Sequence, residues 1–135
     1  MRRQATADPE GAGSRSGGLE PELLAERIGE GRIERDLRVP EDLACWPGHF
    51  ADWAVVPGAL QLDWAMAAVA RLVGSDVRLE CIDELKFKRP LEPGDRVTLA
   101  LEREQDGRVS FRLADGEGVF STGRLRVAAG RRGDA

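Results

Sequence analysis

The sequence predicts an α+β fold, a curved antiparallel sheet wrapped around one long buried central helix, on three observations. One continuous apolar stretch, Pro57 to Val73, carries apolar residues on all faces; five other segments alternate apolar and polar residues at period two; and Asp-Gly turns join the last strands. An antiparallel sheet with one apolar face needs a cover, and the apolar helix is the long element able to supply it.

Each element follows from local chemistry. Residues 1–20 include Gly11-Ala12-Gly13-Ser14-Arg15-Ser16-Gly17-Gly18 with no apolar periodicity. They are expected to form a tail, as are residues 129–135, leaving 21–128 as a single domain. Leu19 to Ile28 is read as a short helix, with Pro21 near its start and Leu23, Leu24 and Ile28 on one side. Ile33, Arg35, Leu37 and Val39 then alternate with polar neighbours, as a half-buried strand should, and Pro40 ends it. Residues 41–56 read as a loop in which Trp46, Phe50 and Trp53 surround His49, the chain's single histidine. Pro57 suits the first turn of the helix, where a missing N–H costs nothing, and Arg71 and Gly74 suit its end. Strands are expected at 77–89, 95–104, 108–114 and 117–128, with Val97, Leu99, Leu101, Val109, Phe111, Leu113, Val119, Leu125 and Val127 turned inward. Their separators are Pro90-Leu91-Glu92-Pro93-Gly94-Asp95, Asp106-Gly107 and Asp115-Gly116, the last two being hairpin signals that favour an antiparallel meander.

Composition excludes several function classes. With 20 basic and 24 acidic side chains the formal charge is −4, so there is no global attraction to nucleic acid or anionic membrane. Met1-Arg2-Arg3 is followed by Gln4 and Thr6, not by an apolar run, so no export signal is expected. The apolar helix is at the short limit for a bilayer span and carries Asp63 and Arg71, so no membrane span is expected and the location expected is cytoplasmic. Cys45 and Cys81 lack metal-ligand spacing and are expected to be thiols. One histidine and scattered carboxylates make no metal ligand set, and no phosphate-binding loop is present.

The chemistry-bearing feature is Asp63, an acid inside the apolar helix. An ionised carboxylate loses its hydration in such a place unless it finds a partner or a proton, so stability alone rarely selects one. His49 lies upstream in Pro47-Gly48-His49-Phe50. The order and spacing of that segment, of Val55-Val56-Pro57-Gly58-Ala59-Leu60-Gln61-Leu62-Asp63, of Leu85-Lys86-Phe87-Lys88-Arg89-Pro90 and of Pro93-Gly94-Asp95 resemble the hot-dog-fold 3-hydroxyacyl-[acyl carrier protein] dehydratases over residues 30–128. The wording Gln61-Leu62-Asp63-Trp64-Ala65 is most similar to the dehydratase-like proteins of aryl-polyene assembly.

The resemblance implies dehydration of a 3-hydroxyacyl thioester to a trans-2-enoyl thioester in fatty-acid, polyene or related lipid biosynthesis. It implies His49 as the base at C2, Asp63 as the acid or water holder at C3, and the Gly58 N–H as the oxyanion donor. The chemistry suits these types: a histidine titrates near ~6.5, a carboxyl in a dry pocket can hold a proton, and a helix start stabilises negative charge. Phe50, Val56 and Leu62 are expected beside the substrate. No cofactor is expected, because the carrier supplies the phosphopantetheine arm. A homodimer or an oligomer of dimers is expected, with His49 and Asp63 of one site drawn from different subunits. Lys86, Lys88 and Arg89 are expected to dock the acidic acyl carrier protein, with strand alternation placing the two lysines on one face. Two alternatives stand beside this: a hot-dog acyl thioesterase, and a non-catalytic acyl-binding partner subunit, the latter motivated by departures from the family pattern at Ala51, Ala54 and Ala68.

Overall fold

The computed structural model describes residues 18–42 and 55–129. Its elements are β1 (Glu22–Gly29), β2 (Arg32–Arg38), α1 (Gly58–Val73), β3 (Val77–Phe87), β4 (Arg96–Arg103), β5 (Val109–Asp115) and β6 (Gly118–Ala129). The strands form one antiparallel six-stranded sheet in the order β1-β2-β4-β5-β6-β3. The expected meander is therefore β4-β5-β6, and β3 lies outside it along β6, at the edge of the sheet.

The helix expected over Leu19 to Ile28 is instead strand β1. A lone helix of that length is marginal in water, whereas a hairpin turning at Glu30-Gly31 pairs Ile28 with Ile33 and Leu23 with Leu37. Gly31 takes the left-handed φ of 72° that the turn requires. Charges complete the pairing: Arg27 reaches Glu34 and forks onto Asp36, while Arg35 donates to Glu26 at 2.8 Å.

Ile33, Leu37, Leu99, Leu101, Phe111, Leu113 and Leu125 line the inner face of the sheet and pack on Leu60, Trp64, Ala65, Ala68 and Val69 of α1. At the β5–β6 turn a bulge between Leu113 and Ala114 makes Phe120, not Val119, the buried residue. The sheet covers only one side of α1. Ala59, Asp63, Ala67 and Arg71, four residues apart, form an exposed stripe on the other, so the described residues do not enclose the all-round apolar helix. Gly74 ends it at φ 79°, its N–H bonded to the Ala70 carbonyl. Among the described residues no helix is long and apolar enough to cross a membrane. The expected tails fall mostly outside the described residues; Leu19 is described, and its carbonyl accepts the Trp64 indole N–H at 2.8 Å.

Candidate active site

Segments distant in sequence converge on the start of α1. The Val56 N–H donates to the Leu91 carbonyl at 2.7 Å, and the Val39 N–H donates to the Asp95 carbonyl at 2.9 Å. Between them Glu92-Pro93-Gly94-Asp95 closes a turn, with the Asp95 N–H on the Glu92 carbonyl and Gly94 at φ 86°, the position where a type II turn needs glycine after proline. The motif around Pro93-Gly94-Asp95 thus holds the backbone that delivers Pro57.

Pro57 precedes the helix with φ −58° and ψ 149°, and no side chain caps it. Its carbonyl accepts the N–H groups of Leu60 and Gln61. The N–H groups of Gly58 and Ala59 have no acceptor among the described residues. Two unsatisfied donors at the positive end of a four-turn helix are suited to an oxygen carrying developing negative charge. Gly58 borders a cleft of about 340 Å³ walled by Val56, Gln61, Phe87, Lys88 and Arg89. Gly58 and Phe87 are closely apposed: a Cβ on Gly58 would lie 2.6 Å from Cζ of Phe87 and would displace the ring.

Beneath the cleft lies a polar pair that the sequence reading passed over. Gln61 is 3% exposed and Ser121 fully buried. The Ser121 hydroxyl donates to Gln61 Oε1 at 2.8 Å, and Gln61 Nε2 donates to the Val56 carbonyl at 3.1 Å. This bridge ties β6 to the residue before Pro57 and so fixes where the Gly58 N–H points. The signal was present, since Gln61 shares the helix stripe of Trp64, Ala65 and Ala68, and counting back by two from Leu125 places Ser121 inward.

Asp63 sits one turn further along α1 on the exposed stripe, without a hydrogen-bond or ion-pair partner among the described residues, and Leu62 beside it is half-buried. Among the described residues the burial expected for Asp63 is thus absent, because the sheet packs on the opposite face of α1. His49 and Phe50 lie outside the described residues, as do Cys45, Trp46 and Trp53. Lys86 pairs with Thr122 on the outer face of the sheet, whereas Phe87 pairs with Ser121 on the helix side. Lys86 and Lys88 are both exposed. Arg89 forks onto Asp115 at 3.2 and 2.8 Å and lies 3.9 Å over the Phe120 ring, so its charge is already engaged in holding the β5–β6 turn against the cleft. Arg71 is likewise engaged, donating to Glu26. A larger hollow of about 460 Å³ lies on the outer face of the sheet among Glu34, Glu102, Arg112 and Arg124, away from the helix start. Among the described residues no group of three metal-ligating side chains occurs.

Residues 25–124 match the ApeI-like family, described as ApeI dehydratase. The chain belongs to that family. Among individual relatives, a 3-hydroxyacyl-[acyl-carrier-protein] dehydratase FabZ of Polynucleobacter necessarius is 37% identical over 72% of this chain and 76% of its own length. The FabZ of Paracidovorax citrulli is 34% identical over 67% of this chain and 73% of its own. A solved structure, the dehydratase heterocomplex ApeI:P from Xenorhabdus doucetiae, superposes with a TM-score of 0.72 at 23% identity, over 81% of this chain and 98% of that one. The ApeI-like fold is thereby the hot-dog fold expected from the motifs, one helix against a curved antiparallel sheet.

Proposed function

We propose that the protein dehydrates 3-hydroxyacyl thioesters carried on acyl carrier protein to trans-2-enoyl thioesters, with His49 as base and Asp63 as acid or water holder. The protein is a dehydratase by family, and the observation that carries the reading to its residues is the uncapped helix start whose Gly58, with an N–H lacking an acceptor among the described residues, lines the cleft. The thioester oxygen accepts from Gly58. His49 takes the C2 proton, negative charge gathers on that oxygen, the C3–O bond breaks as the hydroxyl leaves with a proton delivered through Asp63, and the C2–C3 double bond remains. Proton return from His49 to the Asp63 side resets the pair.

We assign the open stripe of α1 to a second copy of this chain, which buries Asp63 and contributes its own His49 to the site. The Xenorhabdus ApeI belongs to a heterocomplex, so a different hot-dog subunit is the alternative occupant. Lys86, exposed on the outer face of the sheet, and Lys88, exposed in the wall of the cleft, suit an acidic carrier docking at the cleft's rim, and the location proposed is the cytoplasm. The reaction is tested by offering the protein a carrier-bound 3-hydroxyacyl group. Enoyl thioester absorbance without thiol release is expected, and thiol release would assign a thioesterase instead.

A further inference from the structure

Phe87 differs from the protein's other described aromatic rings. Phe111 and Phe120 are 2% and 1% exposed, as core rings are, while Phe87 is 49% exposed although its ring edge rests on the backbone of Gly58. It also lines the cleft together with Gly58 and Gln61. Its direction is set by a deliberate irregularity. Ile82 pairs with Leu125 and faces the helix, so regular alternation would turn Phe87 to the outer face. A register shift between Asp83 and Lys86, with Glu84 in the left-handed region at φ 57°, inverts the alternation and aims Leu85 and Phe87 inward. Glu84 pairs with Arg124 at 3.3 Å, and Gly123 opposite leaves room for Leu85 and Phe111, which a Cβ there would strike.

We infer that Phe87 is a specificity-determining wall of the reaction site that admits thioesters with an unbranched C2 and excludes those carrying a C2 substituent. The inference rests on the function proposed above. A thioester oxygen held by the Gly58 N–H stands about 3 Å from that nitrogen, and C2 follows one carbon beyond the carbonyl. Phe87 lines the same cleft as Gly58, so with C2 on the ring side of the carbonyl the ring borders the space next to C2. A methylene chain can pass its edge; a C2 methyl group meets it. The floor cannot yield, because Gln61 and Ser121 pin the turn that carries Gly58.

The test compares kcat/KM for a linear 3-hydroxyacyl pantetheine thioester with that for its 2-methyl counterpart, which keeps one C2 proton. Wild type is expected to favour the linear substrate. In Phe87→Ala the ratio is expected to move toward the branched substrate by about tenfold or more, the discrimination one methyl-sized group supplies in an apolar pocket. Phe87→Leu, which preserves packing on Gly58, is expected to shift it less, and both proteins are checked for a native thermal transition. If Phe87→Ala does not fold, Phe87→Leu carries the test, and an unchanged ratio there overturns the inference. Equal losses on both substrates in a folded variant also overturn it while leaving the dehydratase reading intact. A wild type that dehydrates neither substrate overturns that reading, and the inference with it.

Discussion

Gln61 and Ser121 show how a single buried amide sets the geometry of the helix start. Both of the contacts made by Gln61 are internal, and each has one partner. In Ser121→Ala, Gln61 Oε1 is left buried without a donor, which costs about 1–3 kcal/mol and is expected as a lowered thermal midpoint. Gln61→Leu removes the hold on the Val56 carbonyl as well, so its activity is expected to fall further than its stability does, because the Gly58 N–H loses its aim. Thermal unfolding and kcat/KM measured on both variants check this; equal activity in folded Gln61→Leu would remove the bridge from the account. Asp63 illustrates the other side of residue-scale reading. Its position among apolar neighbours was legible, but an acid on an all-round apolar helix reads the same whether the missing cover comes from its own chain or from another.

Elements were legible where the signal is local. The hairpins at Asp106-Gly107 and Asp115-Gly116, the helix from Pro57 to Gly74, and the helix start at Gly58 all depend on neighbours in sequence, and all are present. What was hidden depends on pairing at a distance. Strand β1 exists because β2 lies beside it, and the aim of Phe87 depends on a bulge at Glu84, a residue type that gives no warning of a left-handed conformation. The β1–β2 unit also carries a pH dependence. Burial pushes the Glu26 carboxyl up, but hydrogen bonds from Arg35 and Arg71 outweigh it and hold it below its usual range. Hydrogen bonds from Arg27 and then Thr98 do the same for Asp36, and those from Arg89 and the Glu117 N–H for Asp115. Each is a carboxylate whose folded-state pKa is depressed, so its contribution is present above the unfolded value of about 4 and is lost as pH falls through the lower folded value. Stability is expected to drop on acidification below about pH 4–5, and Glu26→Gln is expected to flatten that slope. Denaturant midpoints between pH 3 and 7 measure it, and an unchanged slope in Glu26→Gln would contradict the role given to the Arg35–Glu26–Arg71 cluster.

The whole molecule is left with one side unfinished. The stripe of α1 is exposed, and so is Leu79 on the edge strand β3. An open edge beside apolar surface is a pairing site. A two-chain assembly is expected in sedimentation at assay concentration, and Ala67→Arg, on the stripe beside Asp63, is expected to dissociate it with loss of activity. A fully active monomer would contradict the shared site. The central claim is that His49 and Asp63 act together on a 3-hydroxyacyl thioester, and it is tested most directly by the rate of enoyl formation in four folded proteins: wild type, His49→Ala, Asp63→Asn and the double variant. Each single change is expected to lower the rate by roughly 10²–10⁴, with the double variant no worse than either, as for groups that act as a unit. A folded His49→Ala that turns over at the wild-type rate would contradict it.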